Sequence, residues 1–230
     1  VHQDIEFSRG AGTGGATQTN SSGLVAYAPH NELPRSNEFT HSDWNHPSHL
    51  TAAAAVSPTG ETNASEITSS TNAIYDGVGS VGDIVCISIY AKKNTVDFLT
   101  LSAGAPSSHS ATFDLTDGTV AEEHGTVTTH VSDEGNGWYR IGVSLTSAGY
   151  IQFSAKATGS QAASRTTGVY VYGAQYELTF DLTAGPQAYM ETDGSTTLQG
   201  PRFDYDKDGN SLGLLVEEGR TNLQFHSNDW

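Results

Sequence analysis

The acidic residues near the end of the sequence have the spacing of a metal-binding loop. Asp204, Asp206 and Asp208 alternate along the chain, and a Gly-Asn pair follows them. Calcium binds carboxylate and carbonyl oxygens, and a helix–loop–helix calcium site begins with acids at this spacing. Such a loop needs a bidentate acid at its twelfth position, which is Leu215 here. The three aspartates are therefore candidate ligands for a weak Ca²⁺ site that lacks the complete loop.

The same stretch also has the pattern of a β-hairpin. Asp208 and Gly209 form the residue pair that favours a tight turn. Apolar residues alternate with polar ones on both sides of this pair, at Phe203, Tyr205, Leu212, Leu214 and Val216. We predict a hairpin here and keep the calcium site as the alternative.

Aromatic and polar residues of the kind that bind sugars alternate with aliphatic residues in several short segments. Sugar rings stack on aromatic side chains, while Arg and Gln hydrogen-bond the sugar hydroxyls. The candidates for carbohydrate contact are Tyr90, Trp138, Arg140, Tyr150, Gln152, Tyr170 and Tyr172. The same side chains could instead pack on flanking chain or on a neighbouring subunit. Both interpretations stay open at this point.

Histidines are concentrated in the stretch "HSDWNHPSH". His41, His46 and His49 lie near Asp43, and two histidines with an acid could bind zinc. Their spacing matches no familiar zinc site, and the Pro-Ser pair between the last two indicates a loop. A solvated surface loop is the favoured interpretation.

Sequence motifs of enzymes are not found. The chain has no G-x-S-x-G elbow and no H-E-x-x-H motif, and "GAGTGG" is followed by no lysine. The acid pairs Glu122–Glu123 and Glu217–Glu218 could serve glycoside hydrolysis, but such pairs arise freely among 26 acids. We assign no catalytic residue and predict a protein that is not an enzyme.

Charge and hydropathy exclude further classes of function. The 230 residues include 26 acids and 10 bases, for a formal charge of −16, so nucleic-acid binding is not expected. No apolar stretch reaches the length of a membrane span. The one cysteine, Cys86, lies within the apolar run "IVCISIY", and we predict that it is a small buried residue.

Strand-like alternation dominates the middle of the chain. The predicted core-facing residues are Val85, Ile87, Ile89, Ala91, Tyr139, Ile141, Val143, Leu145, Ile151, Phe153, Ala155, Val169 and Val171. The turn signals "TDGT", "DEGNG" and "TSAG" separate these runs. The best helix candidate is Leu50–Pro58, where four alanines could form a turn or two. The pattern predicts an all-β, antiparallel β-sandwich.

Composition divides the chain into three parts. Residues 1–30 are predicted to form an extended N-terminal arm, and residues 31–180 the folded module. Residues 181–230 would hold a linker, the hairpin, and either the start of a second module or a C-terminal arm. The second module is suggested by a faint repeat, because "NELPRSNEF" (Asn31–Phe39) resembles "NLQFHSNDW" (Asn222–Trp230).

Three segments carry a family resemblance. "FDLTDGTV" (Phe113–Val120), "GNGWYRIGVSL" (Gly135–Leu145) and "VYVYGAQYEL" (Val169–Leu178) together resemble the carbohydrate-binding-like jelly-roll modules of tailed-phage virion proteins. Such modules occur in head fibres, capsid decorations and tail fibres. The flanks Ile5–Val25 and Pro201–Leu223 look like the connecting pieces around these modules.

The resemblance implies a fold, a location and partners. The fold would be a jelly-roll sandwich with extended flanks, and the protein a non-enzymatic structural component on the capsid or tail surface of a virion. It would form a homo-oligomer, with a trimer favoured, and would contact other virion proteins and host-surface glycans. The alternative is a carbohydrate-binding module of a tail-fibre adhesin or of a polysaccharide-degrading enzyme.

Overall fold

The computed structural model describes residues 17–20, 22, 24–78, 82–103, 108–146, 149–194, 198–199, 203–206 and 208–214. The strands in chain order are β1 (Thr17–Thr19), β2 (Val25–Tyr27), β3 (His30–Asn31), β4 (Leu50–Ala55), β5 (Ala64–Ile67), β6 (Ile74–Gly77), β7 (Ile84–Lys93), β8 (Phe98–Ser102), β9 (Ser110–Asp114), β10 (Thr119–His124), β11 (Thr128–Gly135), β12 (Trp138–Thr146), β13 (Tyr150–Lys156), β14 (Val169–Leu178), β15 (Leu198–Gln199), β16 (Phe203–Tyr205) and β17 (Ser211–Leu214). A short 3-10 helix, Pro47–His49, precedes β4. The prediction of an all-β, antiparallel fold is confirmed.

Two sheets form the body of the molecule. A six-stranded sheet has the order β11-β12-β7-β14-β5-β4, and a five-stranded sheet has the order β10-β9-β8-β13-β6. One apolar core contains side chains from both sheets, such as Ile87 and Val143 from the first and Leu99 and Phe153 from the second. The two sheets therefore pack face to face as a β-sandwich.

The predicted core faces are confirmed. Val85, Ile87, Ile89 and Ala91 of β7 belong to the buried core, and the corresponding residues of β12, β13 and β14 belong to it or pack on it. Strand β14 also contains an irregularity that the alternation does not show. Its register with β7 shifts between Tyr172 and Gln175, and Gly173 adopts φ +55 there. The shift turns the residues after Gly173 so that Ala174, Tyr176 and Leu178 face the core.

The helix expectation for the alanine-rich segment is wrong. Leu50–Ala55 forms β4, the edge strand that pairs with β5. Alanine prefers helices by only about 0.5 kcal/mol per residue over most other side chains, so strand pairing overrides that preference. Leu50 is buried in the core, and its partner across the strand pair is Ile67.

Two hairpins lie at the ends of the described chain. The predicted hairpin is confirmed, because β16 pairs with β17 and Phe203 lies opposite Leu214. Strands β1 and β2 form a second hairpin, which lies beside β16. Val216, also assigned to the predicted hairpin, lies outside the described residues. Within the part of the chain that the structure describes, no helix is long and apolar enough to cross a membrane.

Candidate functional site

The outer face of the six-stranded sheet is covered by residues 184–193, which we call the strap. Its backbone is hydrogen-bonded to side chains that rise from the sheet. Ser144 Oγ donates to Ala184 O at 2.8 Å, and Gln175 Nε2 donates to Ala188 O at 3.2 Å. The N–H of Met190 donates to the other end of the same side chain, Gln175 Oε1, at 2.8 Å. The contacts of the sheet thus continue beyond the predicted module boundary at residue 180.

Aromatic side chains fill the space under one end of the strap. Trp138 and Tyr172 are each 1% exposed and pack together with Ala64. Tyr189 of the strap meets the rings of Tyr90 and Tyr172 edge-on, with 5.7 Å between centroids in each pair. In this arrangement Trp138 and Tyr172 present no face to solvent on which a sugar could stack.

Arg140 is buried beside this cluster. One end of its guanidinium donates to Gln187 O at 2.5 Å, and the other donates to Ser88 Oγ at 3.1 Å. The group also lies 5.3 Å from the centre of the Tyr90 ring, a cation–π distance. Arg140 therefore holds the strap on the sheet, and its hydrogen-bonding groups point into the protein.

Glu177 also lies under the strap. It contacts the N–H of Gln187, whereas Arg140 contacts the carbonyl of the same residue. Both of its carboxylate oxygens are 3.2 Å from Gln187 N, and the side chain is buried. Burial raises the pKa of Glu177 to about 7, although a hydrogen bond with the Gln175 side chain and the positive charge of Arg140 oppose the shift. Its cross-strand neighbour Cys86 is buried as predicted, and burial raises the pKa of the thiol to about 12. The thiol is thus protonated at neutral pH and is a poor nucleophile.

Asn31 joins the strap to the edge of β14. Its Nδ2 donates to Ala174 O at 3.1 Å and to Met190 O at 2.8 Å. Its Oδ1 accepts the N–H groups of Leu33 at 3.1 Å and Tyr176 at 3.2 Å. One buried amide therefore satisfies four backbone groups from three parts of the chain.

Two neighbours of Asn31 complete this anchor. Ser36 Oγ lies 2.8 Å from the Tyr189 hydroxyl and accepts the N–H of Thr192 at 2.8 Å. Asn37 Oδ1 accepts the N–H of Gly173 at 3.3 Å. No functional role was expected for these residues from the sequence. A usable signal was nevertheless present, because Asn31, Ser36 and Asn37 are the residues that recur identically in the faint repeat.

The five-stranded sheet carries a separate group of rings at its β6 edge, which we call the ring cluster. His46 and His49 stack with centroids 5.0 Å apart, and His46 meets Tyr75 at 5.9 Å. Tyr75 in turn lies 6.0 Å from Tyr150. Gln152 is the direct cross-strand partner of Tyr75. These five side chains are only partly buried, so rings and a hydrogen-bonding amide share one accessible edge.

The seven carbohydrate candidates therefore do not form one surface. Tyr90, Trp138, Arg140, Tyr170 and Tyr172 are on the strap-covered sheet, whereas Tyr150 and Gln152 are on the other sheet. On the covered sheet the alternative interpretation, packing, describes the contacts of Trp138, Arg140 and Tyr172. Tyr150 and Gln152 are the two candidates that the structure brings together at an accessible edge.

The acidic turn is organised by Asp206. Its Oδ1 accepts the N–H groups of Asp208 at 2.8 Å and Asn210 at 2.9 Å, and its Oδ2 accepts from Asn210 Nδ2 at 3.0 Å. These bonds, that to the Asn210 side chain above all, lower the pKa of Asp206. The position of the Asp204 side chain is outside what the structure describes. Asp206 thus closes the predicted hairpin turn, and the calcium site stays an untested alternative.

The three histidines of the histidine-rich loop do not come together at one site. His41 Nδ1 lies 3.2 Å from Asp43, while His46 and His49 belong to the ring cluster. Among the residues that the structure describes, no group of three or more His, Cys, Asp or Glu is placed to hold a metal ion.

Comparison with known proteins adds no family assignment. No protein-family model matches the chain, and no curated protein matches it either. The function is therefore inferred from the geometry of this chain and from the resemblance of its three motifs.

Proposed function

We propose that the chain is a non-enzymatic structural component of a phage virion, which assembles with copies of itself through its end hairpins and displays the sandwich on the capsid or tail surface. The observation that carries the assembly is a concentration of exposed apolar side chains on the two hairpins. The jelly-roll connectivity and the trimeric state implied by the motif resemblance are part of this proposal.

The exposed apolar residues are unevenly distributed. Leu24 and Val25 of the first hairpin are 65% and 64% exposed, and Phe203, Leu212 and Leu214 of the second are 41%, 64% and 38% exposed. Phe203 and Leu214 are direct cross-strand partners, so their side chains project from the same face of the second hairpin. Apolar side chains grouped in this way are typical of surfaces that another protein covers.

The hairpins also need support. Strands β16 and β17 form a two-stranded sheet, and an isolated two-stranded hairpin is marginally stable in water. Within the chain, Phe203 N donates to Gln18 Oε1 at 2.8 Å, which joins the two hairpins. A second copy of the chain is the occupant that we propose for the apolar face, because closed symmetric rings of identical subunits are the common solution.

Polar substitution of the second hairpin is expected to dissociate the oligomer. Leu212→Ser combined with Leu214→Ser removes apolar area worth about 1.5–3 kcal/mol per buried side chain, so association should weaken by at least about a hundredfold. Solution mass from light scattering should fall from that of an oligomer to 24.3 kDa.

The matched control for this experiment is Val131→Ser. Val131 is also exposed, at 37%, but it lies on the edge strand β11 rather than on a hairpin. The control should keep the wild-type mass. A wild-type chain that is monomeric at tens of micromolar, or a control that dissociates equally, contradicts the proposed assembly.

Glycan adhesion is the second candidate function, and the ring cluster favours it. Tyr75 and Tyr150 are partly exposed rings, and Gln152 offers a donor and an acceptor beside them. The same residues would serve either a virion adhesin or a module of a polysaccharide-degrading enzyme.

Removal of one ring should weaken sugar binding. On a glycan array and in titrations with the sugars that it selects, Tyr75→Ala and Tyr150→Ala should each reduce affinity about three- to tenfold, the value of one aromatic contact. Tyr170→Ala should bind as wild type does, because Tyr170 is a partly buried residue of the other sheet that packs against the cluster of Trp138 and Tyr172. Equal binding by all three variants would remove the ring cluster as the sugar site.

A further inference from the structure

A cavity of about 540 Å³ lies between the β1–β2 hairpin, the end of β14 and the strap. Its volume is within the range of pockets that hold small organic molecules. The cavity is formed within one chain and lies away from the ring cluster. An inference from it does not depend on sugar binding, but it shares Leu24 and Val25 with the hairpin surface of the proposed assembly.

One side of the cavity is apolar. Tyr27 and Phe180 line it and stack on each other, with ring centroids 4.3 Å apart and an interplanar angle of 14°. Leu24 and Val25 also line it, and the large exposure of these two residues and of Phe180 places all three at its rim. These four side chains would cover the hydrocarbon body of a ligand.

The charged groups of the cavity are both acidic. Glu177 and Asp181 line it, and the described lining includes no Lys, Arg or His. Glu177 is 1% exposed and therefore belongs to the buried part of the lining, whereas Asp181 is exposed. The Glu177 carboxylate accepts the N–H of Gln187, which lies 3.2 Å from both of its oxygens, and a hydrogen bond from the Gln175 side chain. A carboxylate accepts about four hydrogen bonds, so it has capacity for a further donor.

The positive charge of Arg140 acts on Glu177 from outside the cavity. Arg140 donates to Gln187 O and to Ser88 Oγ, and it is not part of the cavity lining. A buried carboxylate with an aromatic wall beside it is complementary to an ammonium group on an apolar stem, which gains both a charged hydrogen bond and a cation–π contact.

We propose that this cavity binds a small primary amine with an apolar body, whose ammonium group is hydrogen-bonded to Glu177 and whose body lies against Tyr27, Phe180, Leu24 and Val25. Asp181 adds negative charge at the exposed side and favours entry of a cation.

The proposed contact makes binding pH-dependent in a definite direction. Burial raises the pKa of Glu177 to about 7, and a bound ammonium favours the ionised carboxylate. Below pH 7 the ligand must displace a proton, so affinity should fall, by up to about tenfold per pH unit well below the pKa.

Several titratable groups surround Glu177. Burial lowers the pKa of His30, whose Nε2 accepts the Leu178 N–H, and that of His130, whose ring lies beside Gly185 of the strap. From the neighbouring strands the charged and titratable groups are Arg140 and Cys86, and burial raises the pKa of the Cys86 thiol to about 12. From the hairpin it is Tyr27, whose pKa is raised by burial, and from the end of β14 it is Asp181, whose pKa is lowered by its bonds to Thr183.

Titration of the 230-residue chain with phenethylamine tests the proposal. At pH 8 the amine should bind saturably to one site, with heteronuclear NMR shifts at cavity residues, and 2-phenylethanol, its neutral analogue, should bind at least tenfold more weakly. The amine's affinity should fall by about fivefold or more at pH 6, a test on the wild-type chain that needs no variant.

Glu177→Gln should lower the affinity for phenethylamine at pH 8 at least tenfold, while its amide oxygen can still accept the Gln187 N–H and preserve the fold, as circular dichroism would verify. Glu61→Gln, an exposed acid outside the cavity lining, should bind as wild type does. Equal affinity for amine and alcohol, or an affinity that is unchanged between pH 8 and pH 6, would overturn the proposal.

Discussion

Replacement of Asn31 by alanine is expected to lower the free energy of unfolding by at least about 4 kcal/mol, because it leaves four backbone groups without this partner at about 1–3 kcal/mol each. The amide serves Ala174 O, Met190 O, Leu33 N and Tyr176 N. Alanine cannot replace any of these bonds, and the site is fully buried, so water cannot reach it readily. Urea unfolding followed by far-ultraviolet circular dichroism measures the loss.

Asn37→Ala is the matched control for this variant. Asn37 is the same residue type six positions later, is partly buried, and accepts one bond, from Gly173 N at 3.3 Å. Its loss should cost about 1 kcal/mol or less. If the two variants are destabilised equally, or if Asn31→Ala loses less than the control, Asn31 is not the anchor described above.

Replacement of Trp138 by alanine is the second large effect, expected at about 3–5 kcal/mol because a buried indole is exchanged for a cavity. The ring is 1% exposed, packs on Tyr172, and its Nε1 donates to Val56 O at 3.1 Å. The variant should show a lower urea midpoint, whereas sugar affinity of the remaining folded protein should be unchanged.

Trp138→Phe separates packing from the hydrogen bond. Phenylalanine keeps most of the apolar contact and loses the bond to Val56 O, so it should recover more than half of the stability that alanine loses. A Trp138→Ala protein that keeps wild-type stability but loses sugar binding would return this residue to the carbohydrate candidates and contradict the packing role.

The core of the sandwich was predictable because its signal is local. In β12, Ile141 and Val143 are two positions apart, and a strand places such residues on one face whatever else the chain does. The hairpin at Asp208–Gly209 was predictable for the same reason, since the turn pair and its flanking residues lie within a dozen positions.

The strap was not predictable from such patterns. It attaches through backbone atoms, such as Ala184 O and Gln187 O, and every residue except proline has the same backbone donor and acceptor. In the sequence of the strands alone, polar residues alternate with aliphatic ones at Ser88, Ser144 and Glu177, and this pattern is typical of a solvated face. All three are buried, because a segment without periodicity covers them.

The candidate site was only partly predictable for a related reason. The alternation correctly put Trp138 and Tyr150 on faces opposite the core, but it cannot tell which sheet each strand joins. Tyr75 and His46, which complete the ring cluster with Tyr150, come from segments without strong alternation. The alanines of β4 show the converse case, in which a local helix preference loses to pairing with β5.

Amide hydrogen exchange at Gln187, Met190 and Thr192 tests most directly whether the strap is an integral layer of the sandwich. These three N–H groups donate to Glu177, Gln175 and Ser36. In the wild-type chain they should be protected nearly as strongly as the amides of β14, and Asn31→Ala should selectively weaken that protection. Exchange at the rate of an unstructured peptide in the wild-type chain would show that the outer face is open, and would contradict the account.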